Sequence, residues 1–222
     1  MAVAAKNGKS TPTVVPDDRV APKAGEKDPE PRGVTAGAVQ DPFSVEVSIV
    51  GVADILFHRY DVDAIEMQSK AAKGSKIKKS DNIESYLYRN RDGTLGLPGI
   101  VFKACLSDAA RSFQDPRSPR KSARDLVKAA IAVQDGASFG VRKHDYTDKR
   151  RACVGQAAVT RHRPALEAGW KITFIVDVLD PEYVAVDFLS ELVTRAGRSQ
   201  GLCDYRPDFG RFRVASFKRL RA

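Results

Sequence analysis

The chain has 222 residues, with 37 Lys and Arg against 28 Asp and Glu, a formal net charge of +9 and a sequence pI of about 9.5. That length allows one domain with appendages, and the charge points to an anionic partner, of which nucleic acid is the commonest. No apolar run reaches the ~18 residues of a spanning helix, the first residues lack the apolar core of a secretory signal, and Cys105, Cys153 and Cys203 form no CxxC pair, which excludes a disulfide framework and suits the cytoplasm.

Residues 1–42 hold six of the 12 prolines and no aromatic residue, and their charges cancel: Lys6, Lys9, Arg19, Lys23, Lys27 and Arg32 against Asp17, Asp18, Glu26, Asp28, Glu30 and Asp41. Such a segment buries too little apolar surface to offset its ordering entropy. It reads as a disordered or partner-bound arm, and the whole net charge belongs to a single α+β domain over residues 43–222.

Ser44 to Val52 alternates apolar and polar residues, the period of a half-buried strand. A short helix is expected over 61–68, then a basic loop over 69–79 with Lys70, Lys73, Lys76, Lys78 and Lys79. Residues 86–88 and 94–97 read as a hairpin turning at Asp92-Gly93. Pro98 suits the first position of a helix running to about Phe113. Val101, Ala104, Cys105, Leu106 and Ala109 are its predicted buried side, and Lys103, Ser107 and Arg111 its polar face. A loop is expected over 114–124, an apolar and partly strand segment over 126–133, and a projecting hairpin tip over 142–151. Residues 170–179 (WKITFIVDVL) are the clearest strand. A helix is predicted over 182–195 with Gly197 just beyond its end, and a last strand over 211–217. The major elements read β–α–β–β–α–β, the ferredoxin-like order shared by the RNA-recognition module, with an inserted hairpin and long basic loops.

The segment AGRSQGLCDYRPDFGRFRV, residues 196–214, is the strongest functional signal. Gly197, Gly201 and Gly210 permit close backbone approach and positive φ. Arg198, Arg206, Arg211 and Arg213 supply forks matched to phosphate. Tyr205, Phe209 and Phe212 read as loop or core anchors rather than as platforms for bases. The competing reading for Arg206 and Arg211 is an ion pair with Asp204 or Asp208 in the same loop.

Two segments carry a family resemblance. Leu97-Pro-Gly-Ile-Val-Phe-Lys103-Ala-Cys-Leu106 resembles the LPGSSLKGAL segment of the RAMP superfamily of CRISPR systems, and Gly201 to Val214 resembles its C-terminal glycine-rich loop and following strand. Ile100, Val101 and Phe102 stand where small polar residues are frequent in that family. The resemblance implies a backbone-type subunit that assembles along single-stranded RNA, or DNA, as a homo-oligomer or filament with other complex subunits. It implies phosphate contacts from Lys103, Arg198, Arg206 and Arg211. The basic extensions with Lys70, Lys73, Lys76, Arg142 and Lys143 would clasp the strand or a neighbouring subunit, and Arg111 joins the basic set from the helix.

Neither metal nor cofactor is expected, because His58, His144 and His162 form no HExxH or Cys/His cluster and no P-loop is present. Catalysis is the weaker expectation: a metal-independent endoribonuclease would use His58 beside Arg59 and Tyr60, or His144 beside Lys143 and Tyr146. A structural protein of a virus particle is a further alternative.

Overall fold

The computed structural model describes residues 40–60, 70, 83–154 and 157–220, those between 152 and 159 by backbone alone. The expected helix over 61–68 and Lys73 and Lys76 lie outside the described residues, as does the N-terminal arm up to residue 39; Lys70 is exposed and helical. All elements below belong to the unit Ala36–Ala222. In chain order they are β1 (Phe43–Gly51), β2 (Ile55–Leu56), β3 (Gly96–Leu97), α1 (Gly99–Ala109), β4 (Gln114–Asp115), β5 (Ser118–Ser122), α2 (Arg124–Ala130), β6 (Ile131–Val133), β7 (Ala137–Ser138), β8 (Tyr146–Val154), β9 (Ala157–Leu166), β10 (Lys171–Val178), α3 (Val186–Ser199) and β11 (Phe212–Arg219).

The fold is α+β. Its main sheet is antiparallel with strand order β11-β1-β10-β6. β1 and β10 pair from Phe43↔Val178 to Val50↔Lys171, and β1 and β11 pair with a register shift between Ser48 and Ile49. The alternation in β1 decides its faces: Phe43, Val45, Val47 and Ile49 are buried in one core with residues of α1, α2 and α3. At its centre the rings of Phe102 and Phe174 stack with centroids 4.2 Å apart and an interplanar angle of 20°. The opposite face presents Ser44, Glu46, Ser48, Thr173, Ile175 and Asp177, tied by Ser44 Oγ to Asp177 at 2.6 Å and Ser48 to Thr173 at 2.8 Å. On β11 that face adds Arg213, Ser216 and Lys218. It carries no aromatic side chain, so the stacking platform of an RNA-recognition sheet is missing.

Several local expectations change. α1 starts at Gly99, with Pro98 extended just before it. A Cβ at Gly99 would collide with the Val133 carbonyl, and the Asp135 carboxylate accepts the Gly99 N–H at 2.7 Å. Phe102 takes the buried centre of the helix, Ala104 is exposed, and Ser107 is buried with its hydroxyl donating to the Lys103 carbonyl at 2.7 Å. Residues 124–130 form a helix before β6. The Asp92-Gly93 turn closes, with Gly93 N–H on the Asn90 carbonyl at 3.0 Å, but strand pairing there stops at Arg89↔Leu95. Gly96 and Leu97 pair with Ser138 and Ala137 instead.

Residues 142–151 are not a hairpin tip. From Tyr146 onward they are the first strand of a longer arm, β8 paired with β9. Tyr146 anchors the arm by donating to Asp54 Oδ2 at 2.6 Å. Burial raises the Tyr146 pKa, and the Asp54 hydrogen bond adds to the rise.

The last helix is displaced by four residues from expectation. Tyr183 and Val184 N–H groups bond the Asp180 carbonyl in a turn before it. Gly197 lies inside the helix, where a Cβ would collide with the Phe212 carbonyl. The stop is Gly201, with φ +75 and its N–H on the Ala196 carbonyl at 3.0 Å.

Candidate nucleic-acid interface

The α3–β11 loop is built from left-handed residues. Gly201, Cys203, Tyr205 and Gly210 have φ of 75, 63, 54 and 71. Cysteine and tyrosine in this region cost about 1–3 kcal/mol each and persist only where the surroundings over-determine them. Here the loop closes on itself, with Leu202 N–H on the Gly210 carbonyl at 3.0 Å and Phe209 N–H on the Tyr205 carbonyl at 3.1 Å. It also docks on the segment after β1, through Gly210 N–H to the Asp54 carbonyl at 2.7 Å and Asp204 N–H to the Leu56 carbonyl at 3.1 Å.

Asp204 is the electrostatic hub of the loop. Its Oδ2 accepts from Arg163 Nε and lies 3.4 Å from His58 Nδ1, while Oδ1 accepts the Tyr205 N–H at 3.0 Å. Burial alone would raise this carboxyl, but His58, the Tyr205 N–H and Arg163 together hold it below the usual carboxylate range. The Arg163 side chain is only 9% exposed, and its Nη1 is buried without a hydrogen-bond partner.

The aromatic residues of the loop anchor the β8–β9 arm. Arg163 Cζ sits 4.5 Å from the Tyr205 ring centroid and Arg150 Cζ 4.4 Å from that of Phe209. Arg150 is oriented in turn by Asp148 at 2.8 Å. Phe212 is buried in the core.

A second cluster forms at the end of α1. Three guanidinium groups from three elements surround Asp108: Arg111 at 3.3 Å, Arg124 at 3.7 Å and Arg206 at 3.9 Å. Arg124 Nε is buried without a hydrogen-bond partner. Three cations around one carboxylate leave a local excess of two positive charges.

Clefts run from this cluster along the loop. One of about 270 Å³ between α1 and α2 is lined by Ile100, Lys103, Ala104, Ser107, Asp108, Arg124 and Lys128. A second of about 210 Å³ is lined by His58, Tyr88, Val101, Ala104, Cys203, Asp204 and Arg206. A third of about 430 Å³ lies beyond Arg206, along Ser199, Gln200 and Tyr205. Ala104 and Arg206 are shared walls, so the 97–106 and 201–214 segments meet at one surface.

The structure therefore brings Lys103, Arg111 and Arg206 together. Arg198 is exposed on the last turn of α3. Arg211 is exposed, and its carbonyl holds the Val52 and Ala53 N–H groups at 2.9 and 3.3 Å. Arg142 and Lys143 are exposed near the base of the arm, with the Arg142 carbonyl accepting from Arg89 at 2.9 Å; neither lines these clefts. His144 is half-buried, 3.4 Å from Thr147 Oγ1. The carboxylates that the competing reading paired with Arg206 are not its partners: Arg206 meets Asp108, and Asp204 meets Arg163 and His58. Sequence reasoning missed Arg124, Lys128, Asp108, Arg150 and Arg163 as parts of this surface. Their residue types were visible, but no local pattern joins positions so far apart in the chain.

Among the described residues no group of three His, Cys, Asp or Glu is placed to hold a metal ion, and no helix is long and apolar enough to cross a membrane. No protein-family model matches the chain, and no curated protein matches it. Among solved structures, it is similar to a chain of the Type III-B Cmr-beta complex, determined by cryo-electron microscopy bound to cognate target RNA. The two share 9% identity with a TM-score of 0.51, over 81% of this chain and 61% of that one. The chain thus spans less than two thirds of the length of the one it matches, and the likeness is one of fold.

Proposed function

We propose that this protein is a single-stranded nucleic-acid-binding subunit, of RNA in preference to DNA, that assembles along the strand in a CRISPR-type ribonucleoprotein. The observation that carries the reading is the convergence of Arg111, Arg124 and Arg206 on Asp108. Lys103 and Lys128 in the adjoining cleft extend the same basic surface. Guanidinium forks match phosphate oxygens, and such contacts supply salt-dependent affinity that is blind to sequence. The fold likeness to a chain of an RNA-bound CRISPR complex supports the choice of RNA and of a multi-subunit setting. The ferredoxin-like assignment within the RAMP superfamily is supported by the strand order β11-β1-β10-β6, with α1 following the first of these strands in the chain and α3 the third.

Titration of labelled single-stranded RNA and DNA across a salt series tests this. Binding should be tightest at low salt, weaken steeply as salt rises, and favour RNA. Absence of binding at low salt, or affinity indifferent to salt, refutes it.

A second reading has one specific observation in its favour. His58 Nδ1 lies 3.4 Å from the Asp204 carboxylate in a cleft shared with Arg206. That arrangement orients an imidazole to take the proton of a ribose 2′-hydroxyl. The 2′-oxygen would then attack the adjacent phosphorus to form a 2′,3′-cyclic phosphate, and the bond to the 5′-oxygen would break with that oxygen taking a proton from water. Incubation of RNA with chelator, using the native protein and His58→Ala, separates this reading from binding alone. Cleavage that His58→Ala abolishes supports it, and absence of cleavage removes it.

A further inference from the structure

We infer that the cleft beside the C-terminal end of α3 takes one unpaired nucleobase of the bound strand, stacked on Tyr205 and read along its edge by Gln200. The inference rests on the strand-binding reading above and adds a base-recognition site to it.

Four observations converge. The cleft has a volume of about 430 Å³, within the ~300–1,000 Å³ range of small-ligand sites. Tyr205 lines it in a left-handed conformation with φ 54, and Arg163, 4.5 Å from the ring centroid, fixes the ring from the arm. Gln200 lines it too, and its side-chain amide makes no hydrogen bond among the described residues, so a donor and an acceptor are both open. Arg206 forms a wall of this cleft and also reaches the Asp108 cluster. A phosphate held there would leave its attached base beside Tyr205.

Two other places for base stacking are poorer. The open face of the main sheet has no aromatic side chain, and Phe212 is buried in the core. Within the cleft, Asp204 already accepts from Arg163, His58 and the Tyr205 N–H, and the Ser199 hydroxyl donates to the Arg195 carbonyl at 2.9 Å, which leaves the Gln200 amide as the side chain with both a donor and an acceptor open to a base. A side-chain amide matches the adjacent donor and acceptor of adenine, so adenine is the favoured occupant.

The test compares oligo(A), oligo(U) and an abasic ribose-phosphate strand of equal length at fixed low salt. The full-length native protein, Tyr205→Asn, Gln200→Ala and Arg206→Ala are titrated with each. Asparagine tolerates the left-handed region, so Tyr205→Asn removes the ring with little backbone cost. The native protein should bind oligo(A) about tenfold tighter than the abasic strand. Tyr205→Asn should bring that ratio close to one while keeping the affinity for the abasic strand. Gln200→Ala should narrow the gap between oligo(A) and oligo(U), again with abasic affinity unchanged, and it carries the test alone should Tyr205→Asn fail to fold. Arg206→Ala should weaken all three strands alike.

Equal binding of oligo(A) and the abasic strand by the native protein overturns the base site and leaves strand binding intact. A Tyr205→Asn protein that keeps the native ratio, or that weakens every strand equally, also overturns it. A native protein that ignores all three strands removes the strand-binding reading, and the base site with it.

Discussion

Arg206 and Asp108 stand 3.9 Å apart and join the glycine-rich loop to the last turn of α1. Asp108 also meets Arg111 and Arg124, so one carboxylate gathers cations from two helices and a loop. Each pair is partly exposed, and exposed pairs contribute about 0–1 kcal/mol to stability. The cluster therefore adds little to the stability of the fold.

Arg206→Ala and Arg124→Ala should each weaken single-strand binding by a similar factor for every sequence tested. The slope of log affinity against log salt should fall by about 0.7 for each phosphate that is no longer neutralised. Anisotropy titrations at four or more salt concentrations measure it. An unchanged slope would remove that arginine from the interface.

Asp108→Asn separates the two roles of the cluster. It removes the one negative charge among three arginines, so affinity at low salt should rise, while stability should change by no more than about 1 kcal/mol. Weaker binding with intact folding would mean instead that Asp108 positions the arginines.

Asp204 predicts a pH dependence of stability. Its folded pKa lies below the unfolded value of about 3.9, so its stabilisation is present at neutral pH and disappears as pH falls below about 4. Asp204→Asn leaves the buried Arg163 without its counter-charge and should cost about 3–5 kcal/mol at neutral pH. Urea unfolding should show the gap between native and variant proteins shrinking as pH falls from about 5 toward about 2. A gap that stays constant over that range would contradict the assignment.

Gly197→Ala tests the close approach of α3 and β11. Alanine is favoured over glycine in a helix interior by about 1 kcal/mol, yet its Cβ would collide with the Phe212 carbonyl. Overpacking of this kind costs about 1–3 kcal/mol, so the urea midpoint should fall. A midpoint equal to or above the native one would show that the two elements can separate.

The two central strands of the main sheet, β1 and β10, were legible because each carries its own instruction. Phe43, Val45, Val47 and Ile49 alternate with polar residues, and Ile172, Phe174, Val176 and Val178 do the same, so local periodicity specifies both the element and its buried face. The α1 boundary was legible to within one residue from Pro98. The last helix was misplaced because Gly197 looks like a stop signal, and only the packing of Phe212 against it explains a glycine inside the helix. Likewise Ala104 and Phe102 are both apolar, and it is the Phe174 ring across the core that selects Phe102 for burial.

By itself, the sequence determined an α+β chain whose net positive charge lies wholly in residues 43–222, and a loop rich in glycine, arginine and aromatic residues. Those properties reside in composition and short-range spacing. Only the tertiary structure decided the partners: Arg206 with Asp108 rather than Asp204, Asp204 with Arg163 and His58, and Tyr205 and Phe209 with two arginines of the β8–β9 arm. The physical reason is that a side chain's charge is local, but the opposite charge nearest to it is chosen by the path of the backbone. Between Arg206 and Asp108 in sequence lie two of the four strands of the main sheet, β6 and β10, and only the closure of α3 and its loop against α1 brings them together.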